Sequence, residues 1–401
     1  MKVIHWSMLN GSGMNRVAAS MARGELAIGV DARLLDPFDT NETGWEIALD
    51  ADIHVNHTHI PEKIGGKPFR AACTKPFRYV FPVHGTPEHV FESTIADAAQ
   101  NGYNTGTSYA HHQNGMQEAD AVVTFWERHQ WLYQLALDKH SIVDLVPMGI
   151  DTAFWNAGVM RGKYAGEPSF LSCENQHPFK WSFYILRMWK AIRRELPYAV
   201  LHVANIPGGV QRFVDAMAAR YGCANGCVYG SWAYKHEDLR NILKSVDYYI
   251  SPVRYGDHNR MSLEAAATGA KVISYVGNRY ADFWIPEGDD RRQAEAIIDI
   301  GRGNVEPRAD KLPVPTEVDM ARAMVNVYER ILDRPQTNWS MGGLPDALPT
   351  TIRAAIASAQ GIRDIEDLMK PRLTLLTDAA PVAPADAASV PETPETPEVA
   401  G

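Results

Sequence analysis

The sequence predicts an α/β chain made of two doubly wound parallel sheets, and three observations carry that expectation. Short apolar runs alternate with amphipathic stretches, the signature of strands feeding crossover helices. The alternation restarts after Met148-Gly-Ile-Asp-Thr-Ala-Phe-Trp155, which marks a domain edge. The length, 401 residues, exceeds what one core usually covers, so two domains of ordinary size are expected.

In the first half, Lys2 to Met8 reads as a strand and Asn10-Gly-Ser-Gly-Met-Asn15 as a turn, followed by a helix from Asn15 to Gly24. Further strands are expected at Gly29 to Leu35, Asp52 to Asn56, Tyr79 to Val83, Ala121 to Phe125 and Val143 to Pro147, with helices at Pro87 to Gln100 and Glu127 to Lys139. The second half begins with a strand at Pro168 to Cys173 and a helix from Trp181 to Glu195. A strand at Ala199 to Ala204, a helix at Val210 to Tyr221, a strand at Val228 to Tyr229 and a helix at Glu237 to Lys244 follow. Next come strands at Val246 to Ser251 and Lys271 to Tyr275 around a helix opening near Ser262, and an amphipathic helix over 317–332. The expected domains are therefore 1–155 and 156–333, with a helical extension over 334–376 and a tail over 377–401.

Composition narrows the class. Hydrophobic residues make up 45% and charged residues 22%, which are globular values, and no apolar run is long enough to span a bilayer. Met1-Lys-Val-Ile-His-Trp6 reads as a strand and lacks the apolar core and cleavage site of a signal peptide, so a cytoplasmic protein is expected. The net charge of −9 is uneven: Asp378, Asp386, Glu392, Glu395 and Glu398 supply five of those charges in a Pro-, Ala- and Thr-rich tail, leaving −4 for the rest. That tail cannot bury enough apolar surface to offset its ordering entropy and should be disordered. An anionic partner stays open. Cys73, Cys173, Cys223 and Cys227 are too few and scattered for a disulfide framework, and the last two lack the second pair that a zinc site would need. His54, His57 and His59 alternate as a strand and its exit would; core or loop histidines are the default reading, and no metal is expected.

One stretch points to chemistry. Ser251-Pro-Val-Arg-Tyr-Gly-Asp-His-Asn-Arg-Met-Ser-Leu-Glu264-Ala-Ala-Ala-Thr-Gly269 reads as strand, polar loop, helix and glycine stop. A carboxylate in the first turn of a helix that follows a parallel strand faces the crevice at the carboxyl end of the sheet, where such folds bind nucleotides. Glu264 is the first site residue. Gly11 and Gly13, between the first strand and helix, offer backbone amides to an anionic or hydroxyl-rich ligand, although a turn uses glycine for steric reasons alone. Lys63, Lys67, Arg70, Lys75 and Arg78 form a basic run with Phe69 and Phe77 interleaved and no acid. Such a run suits a phosphate-bearing acceptor, DNA or anionic lipid included, or a plain solvated loop.

The Glu264 stretch resembles the sugar-nucleotide signature of retaining glycosyltransferases, in particular family 4 of the GT-B type, with two facing Rossmann-like domains and a cleft between them. The likeness covers about residues 1–333. It implies a nucleotide-sugar donor, UDP- or GDP-linked, transferred without a metal, with the first domain on the acceptor side and the second holding the donor. Glu264-Ala-Ala-Ala-Thr-Gly269 matches the half of the motif that holds the donor ribose. The family's earlier glutamate falls on Gly256, so its sugar-side role passes to Asp257 or to backbone amides. Lys180 matches the lysine that clamps the diphosphate, whereas Asn175 stands where the family has arginine; Arg254 and Arg260 are candidates for that second cation. His84, in Val83-His-Gly-Thr-Pro87, matches a histidine near the transferred sugar and is expected to act as a neutral hydrogen-bond partner. Lys67, Arg70 and Lys75 are the acceptor-side candidates. Compact loops also resemble those of glycosyltransferases carried by tailed phages, which brings a hydroxymethylated base in phage DNA in as an acceptor. The alternatives are an envelope glycan or lipid as acceptor, or a sugar-nucleotide-binding module without catalysis.

Overall fold

The computed structural model describes residues 1–9, 13–39, 41–58, 60, 63–64, 67–84, 116, 118–127, 130, 133–134, 142–159, 166–173, 184–204, 219–220, 227–229, 235–251 and 259–334. The expected helices over 87–100, 127–139 and 210–221 and the helical extension over 334–376 lie wholly or largely outside these residues, as does the expected tail.

The first domain runs β1 (Lys2–Trp6), α1 (Gly13–Ala27), β2 (Asp31–Leu35), α2 (Glu42–Leu49) and β3 (Ile53–Asn56). A small antiparallel hairpin follows, β4 (Lys63–Ile64) and β5 (Lys67–Pro68), then one turn of helix, α3 (Phe69–Ala72). Strands β6 (Arg78–Val83), β7 (Ala121–Thr124) and β8 (Ile142–Leu145) complete it. The six long strands are parallel in the order β2-β1-β3-β6-β7-β8. β3, β6 and β7 are buried at every position, as expected of parallel strands covered on both faces.

The second domain runs α4 (Thr152–Asn156), β9 (Ser169–Ser172), α5 (Tyr184–Glu195), β10 (Val200–Val203), β11 (Cys227–Tyr229) and α6 (His236–Ser245). It continues through β12 (Tyr248–Ser251), α7 (Arg260–Thr268), β13 (Lys271–Tyr275), β14 (Phe283–Ile285), α8 (Asp290–Gly301) and α9 (Glu317–Leu332). Its sheet is parallel in the order β11-β10-β9-β12-β13-β14. The order reverses between β9 and β12, the topological position at which doubly wound sheets bind their ligands. Two parallel-sheet Rossmann-like domains are thus present.

Helix α9 belongs to the second domain in sequence but packs on α1 of the first. Gly24 permits this contact: a Cβ there would stand 2.1 Å from the Glu317 carbonyl oxygen. Arg23 bonds Glu317 at 2.5 Å, and Met320, Met324, Val327 and Tyr328 join Val17 and Met21 in one buried cluster. The segments entering and leaving the second domain also pair, with the Ile150 amide donating to Pro315 at 3.1 Å and the Glu317 amide to Ile150 at 3.1 Å.

Seven elements have no counterpart in the sequence reading: α2, β4, β5, α3, α4, β14 and α8. Helix α2 contains Thr43 and Gly44, poor helix formers, and is held by Asn41, whose side chain caps Gly44 at 2.9 Å.

Candidate functional site

Helix α7 opens two residues earlier than the sequence suggests. Asn259 caps it, accepting from the Ser262 amide at 2.7 Å, and the Ser262 hydroxyl answers back to the cap, closing a capping box. Glu264 therefore stands in the second turn. The helix ends as expected on Gly269, left-handed at φ 88°.

Glu264 is fully buried. Its Oε1 accepts from the Arg260 Nε at 2.8 Å, one turn earlier, and from Arg16 on α1 of the first domain. Arg260 reaches back across the same junction to the Arg16 carbonyl at 3.2 Å and the Ser20 hydroxyl at 3.0 Å. The other carboxylate oxygen, Oε2, is buried without a hydrogen-bond partner among the described residues. Burial depresses the Arg260 guanidinium, and Glu264 opposes that shift. Burial also lowers the half-buried His236, with the Arg16 charge adding to it. One carboxylate faces two guanidiniums, so the cluster keeps a net positive charge beside an unsatisfied acceptor. Such a cluster suits a ligand carrying both an anion and hydroxyl donors.

His84 follows β6 at the carboxyl edge of the first sheet, part-buried, its ring 5.7 Å from that of Phe125. Its Nε2 lies 2.9 Å from the Nδ1 of His57. Gly13 is the first residue of α1, and no described atom would crowd a Cβ there, so sterics do not demand glycine at that position. Gly11, Lys180, Arg254 and Asp257 lie outside the described residues. The structure thus brings Arg260 and Glu264 together.

The basic run is organised differently from its appearance in sequence. Phe69 and Phe77 are buried with Trp6 and His54, so the interleaved aromatics build core and offer no stacking surface. Lys75 lies against the amino-terminal edge of the sheet, bonded to Asp52 at 2.7 Å and 3.7 Å from Asp50. Its ammonium is stabilised above the ordinary lysine value by the Asp52 bond. Arg78 is buried, paired with Asp120 at 3.5 Å, and donates to the Arg334 carbonyl. The run itself contains no acid, but carboxylates 23 to 42 residues away in sequence pair with Lys75 and Arg78. Lys67 is exposed on β5, and Arg70 sits over the Phe77 ring at 5.2 Å.

Arg16 was not singled out in the sequence, because nothing in Met14-Asn-Arg16-Val separates a site cation from a solvated helix residue. Among the described residues, no cluster of three or more His, Cys, Asp or Glu side chains is arranged to hold a metal ion. Among the described residues, no helix is long and apolar enough to cross a membrane.

No protein-family model matches the sequence, and no curated protein is similar to it in sequence. Solved structures are similar in fold. A sucrose-phosphate synthase from Thermosynechococcus elongatus superposes with a TM-score of 0.60 at 14% identity, over 83% of this chain and 99% of that one. The fold is that of the GT-B glycosyltransferases. HepE from Anabaena, solved with UDP and glucose, gives 0.54 at 12% identity over 82% and 99% of the two chains. An α-glucosyltransferase in complex with UDP-glucose and DNA containing an abasic site gives 0.52 at 8% identity over 82% and 94%. At these identities the GT-B likeness concerns the backbone alone.

Proposed function

We propose that the chain is a glycosyltransferase that moves a sugar from a UDP- or GDP-linked donor to a hydroxyl acceptor, with retention and without a metal. One observation carries the reading: a fully buried Glu264 whose one oxygen is held by Arg16 and Arg260 while the other has no partner among the described residues. The helix bearing it leaves a strand at the reversal of a doubly wound sheet, where nucleotides bind in such folds. A ribose hydroxyl donates; a buried carboxylate oxygen accepts. The surplus positive charge of the cluster suits a diphosphate.

In this reading Glu264 holds the ribose. Arg260 and Lys180 stabilise the diphosphate as it leaves, when its charge is growing. His84 hydrogen-bonds a hydroxyl of the transferred sugar, and Asp257 or the backbone amides around it take the opposite side. The acceptor hydroxyl attacks from the face that the diphosphate vacates, and the departing phosphate takes its proton. Arg16 must release Glu264 before a ribose can bind, which couples donor entry to the contact between the domains.

For the acceptor we propose a hydroxymethylated base in DNA, with Lys67 and Arg70 on the phosphates. The support is the exposed Lys67 and the shared fold with a glucosyltransferase crystallised on DNA. Incubation with a panel of nucleotide-sugars, scored for donor-induced thermal shift and for release of free nucleoside diphosphate, tests the function. Release that rises with hydroxymethylated duplex supports it. A thermal shift without release by any acceptor makes the chain a binding module.

A further inference from the structure

A row of titratable side chains runs through the interior of the first domain. The Tyr328 hydroxyl on α9 donates to Oε1 of Glu25 on α1 at 2.7 Å. Glu25 Oε2 lies 2.9 Å from Nε2 of His5 on β1, His5 Nδ1 lies 3.0 Å from Nε2 of His57 after β3, and His57 Nδ1 lies 2.9 Å from Nε2 of His84 after β6. Tyr328, Glu25 and His5 are fully buried, and His57 is 4% exposed.

Valence allows this row one arrangement with every ring neutral, and a second when an added proton rests on His5. A carboxylate only accepts, and a neutral imidazole has one donor and one acceptor nitrogen. With all rings neutral, His5 must donate through Nε2 to Glu25. Its Nδ1 then accepts, so His57 donates through Nε2, and by the same step His84 donates through Nε2 and carries its lone pair on Nδ1. With one proton more, His5 is an imidazolium beside Glu25 and donates through both nitrogens. His57 and His84 then switch to the Nδ1–H tautomer.

We propose that His84, His57 and His5 form a proton relay towards Glu25, in which a proton taken up at the outer ring is stored on the inner one. The proton binds Nδ1 of His84, the Nε2 proton of His84 moves to Nδ1 of His57, and the Nε2 proton of His57 moves to Nδ1 of His5. One proton enters, no bond other than N–H changes, and the charge rests on His5 against the Glu25 carboxylate. His84 passes from acceptor to donor at Nδ1 while staying neutral.

The surroundings favour charge at the inner end. Burial, together with the His84 and His5 rings, holds His57 well below the ordinary histidine value, so the middle ring carries no resting charge. Burial and the adjoining Glu25 keep Tyr328 protonated and donating. Glu25 from α1 and Tyr328 from α9 flank the inner end, Phe125 after β7 stands beside His84, and His54 is set apart, accepting from the Trp6 indole at 2.9 Å. Glu25 is thus a positioning residue for His84. That His84 addresses a sugar hydroxyl rests on the function proposed above; the relay does not.

Ring-nitrogen NMR of histidine-labelled full-length protein, without substrate, tests the relay across a pH series. At alkaline pH all three rings should be Nε2–H tautomers. On acidification one shared transition should leave His5 doubly protonated and the other two neutral as Nδ1–H. Glu25→Gln keeps an acceptor but removes the anion, and should move that transition to lower pH. Tyr328→Phe should preserve the tautomers. An Nδ1–H tautomer of any of the three rings at alkaline pH overturns the proposal, and so does a separate transition that makes His84 an imidazolium. Should Glu25→Gln not fold, the wild-type spectra decide alone. The tautomers are read without turnover, so an inactive protein with this pattern removes the transferase reading and keeps the relay.

Discussion

Arg16, in the first turns of α1, donates to Glu264 on α7 across 248 residues of sequence, joining the two domains at the carboxylate proposed to hold the donor ribose. Arg260, four residues before Glu264, shares the same oxygen and bonds back to Ser20. The proposed donor site and the domain contact therefore share the same side chains.

Replacing Glu264 by Gln should weaken nucleoside diphosphate binding by about 1–3 kcal/mol, the cost of impairing a charge-assisted hydrogen bond. Titration calorimetry with UDP and GDP reads the effect. Unchanged affinity for the better ligand would show that the ribose is held elsewhere.

Arg16→Met removes one guanidinium from a buried carboxylate, and Arg260 remains to compensate. A loss of about 1–3 kcal/mol in stability is expected, short of the cost of stranding the charge altogether. Thermal unfolding of the two proteins without ligand makes the comparison. Equal melting temperatures would place the pair among contacts that contribute nothing.

Lys180 is assigned to the leaving diphosphate by its resemblance to the clamp lysine of family 4 glycosyltransferases. Lys180→Ala should lower turnover on the order of a hundredfold, as for loss of one transition-state donor. Near wild-type turnover in a folded variant would move the clamp to another residue.

Gly24→Ala drives a methyl group into the Glu317 carbonyl, whose backbone belongs to a helix and cannot give way freely. Destabilisation of about 1–3 kcal/mol is expected from overpacking. A melting temperature at or above that of the wild type would mean that α9 shifts to accommodate it.

The ion pairs of Lys75 separate fold from acceptor. The Lys2 ammonium, with Lys75 second, holds the Asp50 carboxyl below its usual range. For Asp52 burial pushes the other way, but Lys75 and the Lys2 amide outweigh it and the carboxyl is again lowered. Depressed folded-state values stabilise the fold above the unfolded carboxylate range and lose that effect as pH falls through them. Lys75→Met should therefore lower the melting temperature at neutral pH, with the difference from wild type beginning to fade near about pH 4 and vanishing once the pH falls below the depressed folded-state values. If duplex DNA is bound, neutralising Lys67 and Arg70 should flatten the logarithmic salt dependence by roughly two counterions, and Lys75→Met should leave it unchanged. A salt slope altered by Lys75→Met alone would return that lysine to the acceptor.

What could be read in the sequence was whatever depends on local pattern. β13 and α9 lie where periodicity places them, and Gly269 ends α7 because the cap needs a left-handed residue. Glu264 was legible because its context is local: strand, loop, helix and small-residue run. Arg16, Glu25 and His5 were not, since their roles come from partners far away in sequence. The basic run misled for the same reason. Its two aromatics are core and two of its cations are neutralised by acids outside the window in which they were counted. Helix α2 escaped because one asparagine cap and packing outweigh poor intrinsic propensity.

The pairing of Ile150 with Thr316 has a mechanical meaning. The chain passes between the domains twice, and the two passages are zipped side by side by backbone hydrogen bonds, with Gly149 pressed against the Thr316 carbonyl. A single tether would let one sheet swivel freely over the other. A paired ribbon resists torsion and leaves bending about its own line as the soft direction, so release of Glu264 by Arg16 should proceed as the swing of a door on a two-leaf hinge.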